Sequence, residues 1–187
     1  MGKEQIWIDA GYQAFSTQGP QGLRIEKLAK AIQKNKSSFY HFFADLKVFT
    51  ERLLETHLLQ AKKLGEKEAS STNETELIQA LIEHKVDLLF NRQLRIHREE
   101  AAFKNCFLKT NEITLPGFVP IWKKIIELPE SDHLAQMVLM LSIENFFLQI
   151  TEETLNPNWI AAYFEKIRAM VKQFKQTKSI SSIDGSV

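Results

Sequence analysis

Lysine, serine, tyrosine and histidine alternate with phenylalanine in the segment Lys34-Asn35-Lys36-Ser37-Ser38-Phe39-Tyr40-His41-Phe42-Phe43. Phe39 and Phe43 are four residues apart, so on a helix they share one face and can anchor it. That leaves Lys36, Ser37, Ser38, Tyr40 and His41 facing outward. Cations, hydroxyls and a phenol displayed together make hydrogen bonds and ion pairs with a polyanion. Their chemistry is recognition rather than bond breaking.

Such a helix needs a frame. Ile25, Leu28, Ala29 and Ile32 form one apolar stripe and predict a short helix at about 24–32. Ala29 is the small residue that lets a following helix cross closely, Gln33-Lys34 the tight turn, and Asn35 the N-cap of the next segment, with Ser38 three residues on. This is the spacing of a helix-turn-helix. Upstream, Ile6, Ile8, Tyr12 and Phe15 predict a helix over 3–17, ended by Gln18-Gly19-Pro20-Gln21-Gly22. Downstream, Asp45 is placed to cap a long helix through Leu53, Leu54, Leu58 and Leu64.

Glycine (7) and proline (5) are scarce and helix formers plentiful, so an all-α fold of about nine helices is expected throughout. After the polar loop at Ala69–Asn73, one helix is expected from Leu77 to Phe90 and another over 93–110. Pro116-Gly117 and Pro120 read as an interruption before a short helix with Phe118, Trp122, Ile125 and Ile126. Pro129, Ser131 and Asp132 begin an apolar helix over about 132–151, and Asn156-Pro157-Asn158 the last, over about 158–176. The chain thus divides into a head (1–48), a body (49–176) and a Ser-rich, frayed tail (177–187). Residues 1–50 carry seven basic and four acidic side chains, a net +3 that leaves −2 for the rest of a chain with net charge +1. A basic head on a slightly acidic body suits a head that meets polyanions.

In these residues the sequence resembles the tetracycline-repressor family of transcriptional regulators. Leu28-Ala29, Ser38-Phe39-Tyr40 and Phe43 match the family's N-terminal pattern, as do Asp9-Ala10, Phe15 and Gly19, over roughly residues 6–50. Two positions depart from it: Gln33 stands where the turn usually has glycine, and Leu46 where a lysine is usual, with Lys47 adjacent. The resemblance implies a double-stranded DNA operator, with the second helix of the motif in the major groove. Tyr40, His41, Lys47 and Arg24 would contact phosphates, and Lys36, Ser37 and Ser38 would read base edges, with Lys34 beside them. One such helix covers only a half-site, so a homodimer is implied.

The resemblance also implies a body that dimerises and binds a small, largely apolar effector. For dimerisation the last two helices offer Met137, Val138, Met140, Leu141, Ile143 and Leu148, then Trp159, Ile160, Tyr163, Ile167, Met170, Val171 and Phe174. For the effector, Phe103, Phe107, Phe118, Trp122, Phe146 and Phe147 can line a cavity, with His84 or Glu144 as a polar contact; the other reading of these residues is core packing. A helical adaptor that has lost operator binding is the alternative function.

Catalysis finds little support. The histidines (His41, His57, His84, His97, His133) include no i, i+4 pair for a metal, and there is no phosphate-cradling glycine loop, so neither metal nor cofactor is expected. Arg92, Arg95 and Arg98 with Glu99 and Glu100 read as a solvated helix face. Cys106 is the only cysteine, which fits a cytoplasmic setting, and no stretch approaches the roughly 18 apolar residues of a membrane span. The N-terminal residues lead into an amphipathic segment rather than a signal peptide.

Overall fold

The computed structural model describes residues 2–127 and 133–181, the side chains of 133–136 and 174–181 excepted, and every regular element among them is a helix. In order these are α1 (Lys3–Gln18), a 3₁₀ turn (Gly19–Gly22), α2 (Ile25–Ala31), α3 (Lys36–Tyr40), α4 (Leu46–Ser70), α5 (Glu74–Glu83), α6 (Lys85–Ile96), α7 (Ala101–Ile125), α8 (His133–Gln149) and α9 (Pro157–Ser181). The last helix therefore runs five residues past its expected end. The start expected at Pro129, Ser131 and Asp132, the side chains of His133 and Phe174, and residues 182–187 of the tail lie outside the described residues.

Short polar residues set the helix starts. The side-chain oxygens of Asn35, Asp45, Asn73 and Asn156 accept from the backbone N–H groups of Ser38, Val48, Glu76 and Trp159 at 2.8–3.0 Å. Each cap satisfies an otherwise orphaned donor and stabilises its helix by about 1 kcal/mol. Gln33 closes α2 in the left-handed region (φ 55°). Its N–H reaches the Lys30 carbonyl at 3.3 Å, and the Lys34 N–H reaches that of Ala29 at 2.9 Å. That double closure is the one glycine usually makes, and a side chain there costs about 1–2 kcal/mol.

Three stretches differ from the expected layout, one of them the helix expected over 93–110: turns at 97–100 interrupt it, so 93–96 end α6 and α7 starts at Ala101. The helix expected from Leu77 to Phe90 is broken at His84, whose backbone takes φ −103° and ψ 25° between α5 and α6. The break frees α5 to pack on α9 while α6 lies along α1. The largest difference is α7, which runs straight through Pro116 and Pro120. Packing overrides the loss of backbone N–H donors here. Cys106 lies against the Leu54 carbonyl, and Gly117 against the backbone of Gly65 and Ala69, so α4 and α7 run side by side in the same direction. A Cβ on Gly117 would stand 2.4 Å from the Gly65 carbonyl oxygen. Gly117 is thus a point of close helix contact, not a breaker.

The interior falls into two clusters. One joins Trp7, Tyr12 and Phe15 of α1 with Phe39, Phe43, Phe49 and Leu53, and takes in Phe90, Leu94, Phe103 and Phe107 from α6 and α7. The other fills the body around Trp122, Ile126, Phe146, Ile160 and Phe164. Gly117→Ala should destabilise the chain by about 1–3 kcal/mol despite alanine's better helix propensity, because the obstructing atom is backbone that cannot rotate away. Urea denaturation showing a neutral or stabilising effect would contradict the close α4–α7 contact.

Candidate nucleic-acid interface and body cavity

Phe39 is fully buried and fixes α3 from below. Its ring meets Trp7 edge-on at 5.3 Å, Phe49 at 5.1 Å and Phe43 at 5.0 Å. Gly11 makes room for this cluster, since a Cβ there would stand 2.3 Å from the tip of Phe49. With its apolar face so held, α3 and its flanks leave Arg24, Lys34, Lys36, Ser37, Tyr40, His41 and Lys47 exposed and Ser38 half-buried. Tyr40 is 50% exposed, with its ring edge-on to Phe39 at 5.4 Å. Both serine hydroxyls bond back to Asn35, that of Ser37 to the side-chain oxygen and that of Ser38 to the carbonyl, at 2.9 Å. Lys36 is ion-paired with Glu26 of α2, which lowers the Glu26 carboxyl and raises the Lys36 amine from their ordinary values through the shared hydrogen bond.

Behind this surface α1 is hydrogen-bonded to the body. The Tyr12 hydroxyl donates to Asp87 Oδ1 at 2.7 Å and lies 2.8 Å from His57 Nδ1. A phenol has one proton to give, and a carboxylate oxygen only accepts. At the contact with His57 the Tyr12 oxygen is therefore the acceptor, and Nδ1 carries the imidazole proton. His84 Nδ1 donates to the second oxygen of Asp87 at 2.7 Å. Phe90 stacks on both Tyr12 (4.4 Å) and His57 (4.6 Å). Burial pushes His57 down to about 4, with Asp87 opposing, so at neutral pH the ring is uncharged and Nε2 is a bare acceptor.

His57 is one of the residues that line a cavity of about 70 Å³ between α4, α5, α6, α7, α8 and α9. Leu64, Leu88, Phe118, Trp122, Phe146 and Phe147 make much of the wall apolar. Five wall residues nonetheless present buried polar atoms without a partner: His57 Nε2, Glu68 Oε2, Asn91 Oδ1, Arg95 Nε and Thr110 Oγ1. Burial pushes the Glu68 carboxyl up to about 8, so it is largely protonated at neutral pH. Arg95, only 8% exposed, is sandwiched between the Phe107 ring (4.5 Å) and the Phe147 ring (4.2 Å) and paired with Glu144 and Asn111.

Of the expected cavity residues, Phe118, Trp122, Phe146 and Phe147 do line it. Phe103 and Phe107 do not. Phe103 packs edge-on to Phe15 at 5.4 Å in the head-side cluster, and Phe107 supports Arg95. His84 and Glu144 stand one residue back, acting through Asp87 and Arg95 respectively. Arg95 itself is not on a solvated face as its charged neighbours suggested. Leu88, Asn91 and Arg95 recur at i, i+3 and i+7, and His57, Ala61, Leu64 and Glu68 follow a similar helical spacing on α4. Polar residues set into an apolar stripe at that spacing were the available signal for all four polar positions. On α9 the expected interface residues Ile160, Tyr163, Ile167 and Val171 are buried within the chain, whereas α8 leaves Met137, Met140, Leu141 (67%) and Leu148 (71%) exposed.

Among the described residues no group of histidine, cysteine and acidic side chains could hold a metal ion, and no helix is long and apolar enough to cross a membrane. Compared with known proteins, the chain matches no family model, no curated protein and no solved structure.

The Glu68 carboxyl makes stability fall as pH rises. Its value in the folded chain, about 8, lies above the ordinary 4.5, so between those limits the folded state holds a proton that the unfolded chain has released. His57 works the other way, its stabilising neutrality being lost as pH falls through 6.5 towards 4. Glu68→Gln isolates the first effect. Its stability relative to wild type should rise by on the order of a few kcal/mol between about pH 5 and pH 8 in urea denaturation. Parallel profiles for the two proteins would show that Glu68 is not desolvated.

Proposed function

We propose that the chain is a sequence-specific DNA-binding transcriptional regulator of the tetracycline-repressor type. It acts as a homodimer, and a small molecule in the body cavity releases it from its operator. The observation that carries the reading is the α3 surface: a short helix seated on Phe39 and Phe43, with lysine, serine, tyrosine and histidine side chains turned outward from a basic head. Arg24, Tyr40, His41 and Lys47 are accessible for phosphates, and Lys36, Ser37 and Ser38 for base edges.

The Lys36–Glu26 pair does not count against this. Both side chains are about half or more exposed, and exposed pairs contribute only about 0–1 kcal/mol. A duplex phosphate or a guanine edge competes successfully for that lysine. A single α3 covers one half-site, so two heads must act together. The exposed Met137, Met140, Leu141 and Leu148 face of α8 suits a second copy of the chain. Effector control follows from the bonds of Tyr12, which tie α1 of the head to two residues of the cavity wall. A ligand that prefers one setting of that tie shifts the spacing of the heads.

Fluorescence anisotropy with the DNA flanking the chain's own gene tests the reading. Binding should be sequence-selective and weaken steeply with salt, as counterion release requires. Lys47→Ala should weaken binding to all sequences alike and reduce the salt slope by about 1, while Lys36→Ala should relax the preference at one base pair. Binding that is indifferent to sequence at every salt concentration would leave the helical-adaptor reading in its place.

A further inference from the structure

The five unpartnered polar atoms of the cavity are not interchangeable, and their chemistry restricts what the cavity can take. His57 Nε2 is an acceptor only, because Tyr12 commits the imidazole proton to Nδ1. Asn91 Oδ1, on the facing helix α6, is a second acceptor. A hydrocarbon would leave both without a donor in a buried setting, the costly state for a polar group. An anion would find the unpartnered Nε–H of Arg95, but it would set its charge against the two lone pairs and the nearby Asp87 carboxylate, and Glu144 already balances the guanidinium. A cation would meet Arg95 in the same wall. Asp87, the carboxylate that might attract it, is already engaged by Tyr12 and His84. About 70 Å³ is room for several water-sized groups, and the apolar walls favour carbon over water for most of them.

We propose that the cavity takes a neutral, largely apolar molecule bearing a hydroxyl or an uncharged NH2 group: the first proton goes to His57 Nε2, and an NH2 group has a second for Asn91 Oδ1. This rests on the reading of the cavity as the effector site and adds its chemistry. Through His57 the donor is one hydrogen bond away from Tyr12, so the group that selects the ligand is also the group that touches α1.

Isothermal titration of the full chain with three probes that share a methylated ring tests it: 4-methylphenol, toluene and 4-methylbenzoate. The phenol should bind about tenfold or more tightly than toluene, and the benzoate most weakly. His57→Phe, which removes the acceptor and keeps a ring, should erase the phenol's advantage while still binding toluene, which shows that the variant remains folded. Should a variant not fold, the wild-type His57 Nε2 nitrogen resonance decides, moving with 4-methylphenol and not with toluene. Equal affinity for phenol and toluene, tightest binding of the benzoate, binding of none of the three, or an unmoved resonance would overturn the proposal. DNA binding is measured on the chain without any probe, so failure of the operator reading is seen separately.

Discussion

The hydroxyl of Tyr12 stands where α1, α4 and α6 meet, and its single proton orders what surrounds it. Given to Asp87, that proton makes the phenol oxygen an acceptor for His57 and fixes the imidazole tautomer. His84 completes the carboxylate's partners at the start of α6. Phe90 stacks on both rings and excludes water from the bonds, which is why burial holds His57 uncharged. Such a network stabilises only when each member is satisfied, because an unpaired polar atom in a low dielectric costs more than a bond gains. The connection of α1 to α6 and α7 therefore combines an apolar cluster, Phe15 with Phe90 and Phe103, with a few polar groups enclosed by aromatic rings.

The body shows the opposite balance. Its cavity leaves five polar atoms unpartnered, including a carboxyl that burial keeps largely protonated and a guanidinium clamped between two rings. An all-apolar wall would fold more stably. Retaining these groups fits a site whose occupant supplies the missing bonds. It places that demand next to the tie with α1, since His57 belongs to both.

Local chemistry made the head legible in the sequence. Asn35 and Asp45 are caps because their side chains reach the next turn, Phe39 and Phe43 anchor because they are four apart, and Gln33 takes the left-handed turn that its place in the motif demands. Long-range packing made the body harder to read. Pro116 and Pro120 carry a strong local signal for interruption, yet the close passage of Gly117 over Gly65 holds α7 continuous, and nothing near in sequence announces that contact. Phe103 and Phe107 look like any apolar helix face, and only the position of α1 assigns them to the joint rather than the cavity. Arg95 was concealed among charged neighbours of which Arg98, Glu99 and Glu100 are exposed, and its burial depends on two rings from α7 and α8.

The link from α1 to the cavity depends on which nitrogen of His57 carries the proton. A long-range nitrogen–proton correlation spectrum of the imidazole side chains at neutral pH reads this directly. It should show His57 neutral, with the proton on Nδ1 and Nε2 bare. A proton on Nε2, or a charged ring at a pH where an ordinary histidine is half-protonated, would mean that Tyr12 does not tie α1 to the cavity as described.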